Sequence, residues 1–426
     1  MSKNNGYDWI IGGSLPELGR HSVAKHDIYD RYIETYIRTL TKSHQVRALN
    51  LTIVDGFCGG GRYSLDGRAV DGSPLRMLSS VRRVHQEISA ARRLGVTIKV
   101  DFVFVDSNRN HTDCLCELLQ QEGFGSRMGQ DIHILTSKFE EAAGGIIERI
   151  RARGRAHRSL FFLDQYGWSA VTFATVRSIF ASLQWPEVVL TFMVDHLANL
   201  LNDRMIDGEA LASIELDRED VRELLSMKQM RGWKRVIQNT LYEHIQRKTG
   251  AGYYTPFFIH PQGGSNRDYW LLHLSQHHQA REEMGKIHWC MENTFEHFGR
   301  AGFNSLGFIP GQDVRDGMMD FAFNDNARTR SEEAVVDQLS RMLHARAMAG
   351  LGPLTKQELF AAHCNEAPVI GSIVDASLVE LRSAKDIVIR SKDGALRRSV
   401  TKFGWDDQIS LSREPGLFSI FDQKAA

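Results

Sequence analysis

The chain has 426 residues, of which 42% are hydrophobic, and 52 Lys and Arg residues balance 52 Asp and Glu residues. This apolar fraction supports folded cores and excludes wholesale disorder, and the length predicts two domains or one large domain with an insertion. The balanced charge excludes a global electrostatic attraction to nucleic acid but allows a local basic patch.

The first half of the chain predicts a parallel α/β fold. A long helix that carries Ile33, Ile37 and Leu40 on one face precedes short apolar runs that alternate with helical stretches. Such runs are typical of buried parallel strands joined by crossover helices. Five of them lie at 51–54, 100–105, 132–135, 159–163 and 188–194.

The pattern changes after the fifth strand. Residues from about 200 to 250 predict a helical insert with charged faces. Two strands at 253–259 and 268–275 then flank a turn signal at 262–266, and a helix near 279–298 should follow. Together with the five parallel strands, this pair predicts a seven-stranded, mostly parallel sheet.

The tail, residues 331–426, predicts a winged-helix domain separate from a first domain at 1–330. Its three helices precede two strands around an Asp393-Gly394 turn, which is the order of a winged helix. Asp393 is the only acid between Arg390 and Lys402, so the predicted wing is basic. A wing that holds a nucleic-acid backbone and a solvated wing in a protein-binding domain both fit this pattern.

The strongest chemical signal is DGFCGGG at residues 55–61, directly after the first strand. Consecutive glycines let the backbone approach a ligand at the carboxyl end of a strand, where open α/β sheets bind cofactors. The segment is not a GxGxxG dinucleotide motif, because the next helix begins only near Pro74. The segment fits either a cofactor-binding loop or a tight surface turn, and its position directly after a strand favours the cofactor-binding loop.

Polar residues also follow the second and third strands. Asp106 ends the second strand, where a carboxylate accepts hydrogen bonds from ribose hydroxyls. Together with the glycine segment, it indicates a nucleoside site. Ser137 and Phe139 follow the third strand, where they either bracket an adenine ring or serve as a helix cap and a core residue.

The fourth strand ends in an acid followed by aromatic residues. Leu163 is followed by Asp164, Gln165, Tyr166 and Trp168. An acid followed by aromatic residues is typical of a site that binds an amine and stacks on a flat base, as base-flipping enzymes require. A buried aromatic turn with a capping aspartate is the alternative interpretation.

The chain resembles the three-Cys-motif partner (TcmP) protein family in six segments, which occur in order over about residues 20–300. They are HSVAKHDIYDRYIETY, IVDGFCGGGRY, DGSPL, FVDSN, FLDQYGW and YWLLHLSQHHQAREEMGKIHW. The resemblance implies the α/β, Rossmann-like fold of class I S-adenosylmethionine (SAM)-dependent methyltransferases, with SAM as the cofactor and a partner protein that bears a cysteine motif. Lys25-His26 is also similar to the N-terminal Lys-His of a bacterial ribosomal-RNA adenine methyltransferase.

The resemblance implies a role for each matched residue. The implied cofactor residues are Asp55, Phe57, Gly59 and Gly61 around the methionine moiety, Asp106 at the ribose, Ser137 and Phe139 beside the adenine, and Lys25 and His26 closing the pocket. The implied catalytic residues are Asp164 as acceptor for a target amine, Gln165, and Tyr166 stacked on the base. Gln165 stands where the family's Asp-Pro-Tyr-Gly pattern has proline. This replacement frees φ at the position and adds a side-chain amide, where the resemblance implies a rigidly held backbone carbonyl.

These features support one leading hypothesis and two others. The leading one is a SAM-dependent methyltransferase that acts on an exocyclic base amine, with adenine favoured, in DNA or RNA. The alternative is a binding module that keeps this fold, acts as partner or regulator of another protein and transfers no methyl group, and Gln165 favours it. The third is a nucleotide-dependent nuclease or hydrolase, which has little support because the sequence contains neither a P-loop lysine nor a carboxylate cluster.

Two further residue groups lie outside these motifs. Arginines cluster at 149–158 and 82–93, just before the fourth and second strands, and therefore at the edge of the sheet opposite the cofactor. They complement helix dipoles or form a second nucleic-acid or partner surface. The histidines at 273–288 lack a cysteine or acid at ligand spacing, so no metal site is expected.

Three observations predict a cytoplasmic protein. The five cysteines are odd in number and lack CxxC spacing, which argues against a disulfide framework. No apolar run reaches the roughly 18–20 residues that a membrane span needs, so no membrane partner is expected. The start, MSKNNGYDWI, lacks the layout of a secretory signal.

Overall fold

The chain forms two compact units, Met1–Glu283 and Met284–Ala426. The computed structural model describes residues 7–92, 95–193, 197, 209–227, 241, 244–259, 269–291, 296–297, 321–322, 325–364 and 369–412. The turn predicted at 262–266 lies outside these residues. Among them, no helix is both long and apolar enough to cross a membrane.

The first unit is an α/β structure. Its strands are β1 (Ala48–Asp55), β2 (Arg62–Leu65), β3 (Arg68–Asp71), β4 (Thr97–Asp106), β5 (Ile132–Thr136), β6 (Arg158–Leu163), β7 (Pro186–Phe192), β8 (Tyr253–Ile259) and β9 (Tyr269–Ser275). Its first five helices are α1 (Arg20–Leu40), α2 (Ser73–Ala91), α3 (Arg109–Gln121), α4 (Phe139–Ala152) and α5 (Phe173–Ser182).

The main sheet confirms the predicted fold class. Seven strands lie in the order β8-β9-β7-β6-β1-β4-β5. The strands from β7 to β5 pair in parallel, and β9 pairs antiparallel with β7 and β8. Because β1 lies between β4 and β6, the carboxyl ends of these three strands adjoin at one edge of the sheet.

The central strands are buried on both faces, which explains their continuous apolar sequences. Phe102 and Phe104 of β4 and Phe161 and Phe162 of β6 are almost fully buried. Asp55 at the end of β1 stands in register with Phe104 on one side and Phe162 on the other. The end of β1 is therefore held by well-packed strands on both sides.

A β-hairpin that the sequence did not reveal separates the glycine loop from α2. Its strands β2 and β3 pair antiparallel, and their turn holds Asp66 and Gly67 at positive φ. The Gly72 N–H donates to the Gly61 carbonyl at 2.8 Å. The hairpin therefore returns the chain to the glycine loop, and α2 begins at Ser73, where a helix was predicted.

The described parts of the predicted insert are mostly helical. The helical residues are Glu209–Ser213, Arg218–Met227, 241 and 244–249. After β9, the helix His278–Cys290 ends earlier than the predicted helix at 279–298, and Glu296–His297 is a short strand paired with Phe321–Ala322.

Within the second unit, the described residues from 325 to 412 form three helices and a small sheet. The helices are Asp325–Met348, Lys356–His363 and Gly371–Ser383, and the strands are Leu354–Thr355, Ile387–Arg390 and Gln408–Leu411. A capping box formed by Thr355 and Glu358 begins the middle helix. Gln408–Leu411 is the central strand and pairs antiparallel with both others.

The wing differs from its prediction. The Asp393-Gly394 turn forms, because the Ser391 N–H donates to the Ala395 carbonyl at 2.8 Å and Gly394 adopts a φ of 84°. The strand that pairs with all of Ile387–Arg390 is nevertheless Gln408–Leu411 and not the segment directly after the turn. A longer loop therefore carries the basic residues that were assigned to the second strand.

Candidate functional site

The glycine loop is bonded to both neighbours of β1. The Gly56 N–H donates to the Phe162 carbonyl at 2.9 Å, and the Cys58 N–H donates to the Val105 carbonyl at 3.0 Å. A Cβ atom at Gly56 would lie 2.7 Å from Leu163. Because that distance is shorter than any ordinary carbon contact, glycine is required here for the loop to pack at the sheet edge.

The N-terminal segment packs on the same loop through Trp9. A Cβ at Gly59, which has a φ of +59°, would lie 2.7 Å from the Trp9 ring, and one at Gly60 would overlap it. The Trp9 Nε1–H donates to the Arg62 carbonyl at 2.6 Å, and the ring lies edge-on to Tyr63. The glycines therefore accommodate an aromatic side chain, a contact that no motif indicated.

Asp106 joins β4 to the glycine loop. Its Oδ2 accepts from the Gly59 N–H at 3.1 Å, and its Oδ1 accepts from the Asn108 N–H at 2.8 Å. The His111 Nδ1 lies 3.1 Å from Oδ1. This network fixes the orientation of the carboxylate at the place where the sequence predicted a ribose acceptor.

Asp55 is a buried acid with an incomplete set of hydrogen bonds. Only 2% of the residue is exposed, and its Oδ1 accepts from the Phe57 N–H at 3.1 Å. Its Oδ2 is buried and has no hydrogen-bond partner among the described residues. Burial and, to a smaller extent, the charges of Asp164 and Asp106 raise the pKa of Asp55 to about 7, although the Ser73 hydroxyl and the Phe57 N–H lower it.

Lys25 of α1 holds the third acid of the site. Its Nζ lies 2.6 and 2.7 Å from the two carboxylate oxygens of Asp164, and the Thr191 hydroxyl donates to Asp164 Oδ1 at 2.7 Å. The Lys25 side chain is 7% exposed and that of Asp164 is 25% exposed. Burial raises the pKa of Asp164, but Lys25, Thr191 and His26 together outweigh it and hold that pKa below its ordinary value.

His26 lies beside this pair and is buried. Burial and the charge of Arg76 lower its pKa to about 3, although Asp164 opposes them. Its Nδ1 has no hydrogen-bond partner among the described residues. The imidazole is therefore neutral at physiological pH, and its ring lies 6.2 Å from that of Tyr63, beside the glycine loop.

Gln165 and Tyr166 point in different directions. Gln165 is 2% exposed, and its Oε1 accepts from the Val171 N–H at 2.9 Å. Tyr166 is 63% exposed. Gly167 has a φ of +95°, its carbonyl accepts from the Met193 N–H at 3.0 Å, and its N–H donates to the Met193 sulfur at 3.1 Å. The Gln165 amide thus ties the loop together from inside, and Tyr166 is left at the surface.

Ser137 and Phe139 lie beyond β5. The Ser137 N–H donates to the Asp106 carbonyl at 3.0 Å, which ties the two strand ends together. Phe139 is buried, and its ring packs where a Cβ at Gly56 would lie, with a centroid 6.4 Å from that of Phe57. Phe139 therefore supports the glycine loop from below, and its role beside an adenine stays a prediction.

The structure thus brings most of the sequence-predicted residues to one edge. Asp55, Asp106 and Asp164 interact electrostatically there. Three residues of this edge, Trp9, Thr191 and His111, belong to none of the sequence motifs. Trp9 lies in the N-terminal segment before the first predicted helix, and Thr191 interrupts the apolar run of β7, which was the one available signal for it.

A family model, the GMT-like wHTH domain, matches residues 309–394. This match confirms the predicted winged helix, although part of the matched segment lies outside the described residues. It covers too little of the chain to identify a family for the whole. No curated protein sequence matches this chain.

Solved structures also resemble the chain, at low identity. Protein LPL1258 from Legionella pneumophila, of family DUF519, is 9% identical, with 63% of this chain and 92% of that chain covered and a TM-score of 0.36. The putative methyltransferase YhhF from Escherichia coli is 12% identical over 63% and 98%, with a TM-score of 0.26. The plantazolicin methyltransferase BpumL, in complex with a substrate analogue and SAH, is 10% identical over 59% and 84%, with a TM-score of 0.25.

Proposed function

We propose that the protein is a SAM-dependent methyltransferase that acts on an exocyclic base amine, with adenine favoured, in DNA or RNA. One observation carries the proposal. Asp164 follows β6 at the same sheet edge as Asp55 and Asp106, and Lys25 and Thr191 fix its orientation.

The chemistry of this edge suits SAM. Three carboxylates in electrostatic contact favour a cation, and SAM carries a sulfonium and an ammonium group. The buried Asp55 Oδ2 has no hydrogen-bond partner among the described residues and so can accept from a bound donor. Asp106 would bind the ribose, because each carboxylate oxygen accepts more than one hydrogen bond.

Asp164 would orient the target amine. Its lowered pKa keeps it ionised at neutral pH, so it accepts a hydrogen bond from the amine N–H and is too weak a base to remove the proton first. SAM supplies an electrophilic methyl group on a sulfonium. Lys25 and Thr191 hold the carboxylate so that the amine lone pair faces that methyl group, and the amine proton leaves to water after transfer.

Two features support a nucleic-acid substrate. The winged-helix match at 309–394 belongs to a class of folds that bind nucleic acid. Tyr166, two residues after Asp164, is 63% exposed and is available to stack on a base. A cytoplasmic location goes with this proposal, because all five cysteines are free thiols, which suits a reducing compartment.

The first test is calorimetric titration with SAM. We expect micromolar binding by the wild-type protein and its loss in Asp106→Ala, whereas Asp113→Ala, an exposed aspartate on the following helix, should bind normally. Transfer of labelled methyl groups to oligonucleotides should then fall about 100-fold in Asp164→Asn, because the amine loses its orienting acceptor. Absence of SAM binding by the wild-type protein would refute the proposal.

A second candidate function is a binding module with this fold and no methyl transfer. The inward amide of Gln165 favours it, because Gln165 accepts from the Val171 N–H of its own loop and does not face a substrate. In that case a protein with a cysteine motif would be the partner. Asp164→Asn would then leave partner capture unchanged, and the wild-type protein would show no transfer for the variant to lose.

A further inference from the structure

Trp185 occupies an unusual position at the amino-terminal edge of the sheet, between α5 and β7. It adopts a φ of 61°, in the left-handed region that bulky residues rarely enter, and it is 39% exposed. The Arg158 guanidinium lies 5.8 Å from its ring centroid, and the His277 ring lies edge-on at 5.8 Å. The strained backbone thus projects a large aromatic ring toward solvent beside a cation.

The first of two cavities that share Trp185 is lined by arginines. It has a volume of about 540 Å³, and Arg151, Arg155, Gln184 and Gln276 contribute to its wall. Arg151 and Arg155 are exposed and form no ion pair with any other described residue, unlike Arg153, which pairs with Asp101 at 2.7 Å. Two uncompensated guanidinium groups beside a cavity favour an anion with the geometry of phosphate.

The second cavity is also lined by Trp185 and is aromatic. It has a volume of about 310 Å³, with Tyr32, Tyr36 and Glu187 in its wall. Glu187 is 8% exposed, accepts from the Tyr32 hydroxyl and lies 3.0 Å from the His273 Nε2. Flat rings and a buried carboxylate together suit a heterocycle that stacks and donates an N–H, which describes a nucleic-acid base.

We propose that this edge is a second nucleic-acid site, which binds a single-stranded segment of the substrate. Its phosphate groups contact Arg151 and Arg155, and one base stacks on Trp185 and enters the aromatic cavity. The site lies at the edge of the sheet opposite Asp164, and the length of β6, six residues, separates the two edges by about 20 Å. A strand therefore needs at least roughly six nucleotides at about 3.4 Å each to reach both.

This inference rests on the proposed nucleic-acid substrate, and oligonucleotide binding tests it. The probe is a fluorescein-labelled, single-stranded 20-nucleotide oligomer, as DNA and as RNA, followed by fluorescence anisotropy with the full chain. Trp185→Gly is the chosen variant, because glycine adopts the observed φ without strain and the fold should be retained. We expect binding about tenfold weaker than that of the wild-type protein, and Trp185→Phe should restore most of it.

Charge variants provide the second measurement. Arg155→Ser should weaken binding and reduce the slope of log affinity against log salt by about 0.7, as expected for one phosphate contact on a single strand. Arg82→Ser removes an exposed arginine from α2, without a described ion pair, and should change neither quantity. Wild-type affinity in both Trp185→Gly and Arg155→Ser, or equal losses in Arg155→Ser and Arg82→Ser, would overturn the proposal.

SAM titration separates failure of this inference from failure of the proposed function. Trp185→Gly should bind SAM like the wild-type protein, because the two edges are independent. SAM binding together with Trp185-independent oligonucleotide binding refutes the second site alone. Trp185-dependent oligonucleotide binding without any SAM binding refutes the methyltransferase and retains the site.

Discussion

The buried carboxyl group of Asp55 predicts a change in stability with pH that one substitution should remove. Its pKa is about 7 in the folded protein, compared with an ordinary value of 3.8. Between these values the folded chain binds more protons than the unfolded chain, so the free energy of unfolding falls as the pH rises. Since one pKa unit corresponds to about 1.36 kcal/mol, ionised Asp55 destabilises the fold by about 4 kcal/mol above pH 7.

Asp55→Asn keeps the shape and the acceptor for the Phe57 N–H but never ionises. We therefore expect the variant to gain about 4 kcal/mol relative to the wild-type protein between pH 4 and pH 8. Urea unfolding of both proteins at pH 4, 6 and 8 measures this difference, and the contributions of all other titrating groups cancel. SAM binding should weaken at the same time, because a neutral amide no longer attracts the cation.

His26→Gln is the control with the opposite sign. The pKa of His26 is lowered from 6.5 to about 3, so the unfolded chain binds more protons than the folded chain in this interval, and acid destabilises the wild-type fold. The variant should therefore gain up to about 5 kcal/mol relative to the wild-type protein as the pH falls from 7 to 3. Parallel pH profiles for wild-type, Asp55→Asn and His26→Gln proteins would show that neither group is buried in the ionisation state described.

Two further predictions concern the same edge. Lys25→Met leaves Asp164 without its cation, and because that carboxylate is 25% exposed we expect a loss near the lower end of the range for a broken buried pair, about 3 kcal/mol in urea unfolding. The loss should shrink in the background of Asp164→Asn, and an unchanged loss would contradict the pairing. Gly60→Ala should displace Trp9 and increase proteolysis of the N-terminal segment, whereas Gly145→Ala in α4, which meets no atom within 4 Å, should be neutral or stabilising.

The sequence was sufficient to predict the main sheet, because buried parallel strands are continuous apolar runs. All seven predicted strands form, each within a few residues of its predicted limits. The hairpin Arg62–Asp71 was not predicted, since its two strands have only four residues each and carry no continuous apolar run.

The site was predictable in its acids and not in their partners. Each of the three acids, Asp55, Asp106 and Asp164, lies at the end of a strand or directly after it. Because the strands were predicted from the sequence, the position of these acids at the sheet edge was predictable as well. Thr191 and His111 come from other elements and were not predicted, and Lys25 was expected to close the pocket but not to contact Asp164; only packing brings these side chains within hydrogen-bond distance of the acids. The same limit explains the wing, where Gln408–Leu411 pairs across a loop that no local turn signal spans.

The contact between Lys25 and Asp164 bears on both candidate functions. Without Lys25, the negative charges of Asp55 and Asp106 would raise the pKa of Asp164. The carboxylate of Asp164 would then bind a proton of its own and would no longer accept the N–H hydrogen bond of a target amine. Lys25 prevents this, since it keeps Asp164 ionised, and Thr191 occupies Oδ1. Lys25 donates to both carboxylate oxygens, so an amine would approach Oδ2, which accepts one hydrogen bond fewer than Oδ1. The pair thus fits a methyltransferase that orients its substrate, and Gln165 bears more strongly on the choice between catalysis and binding.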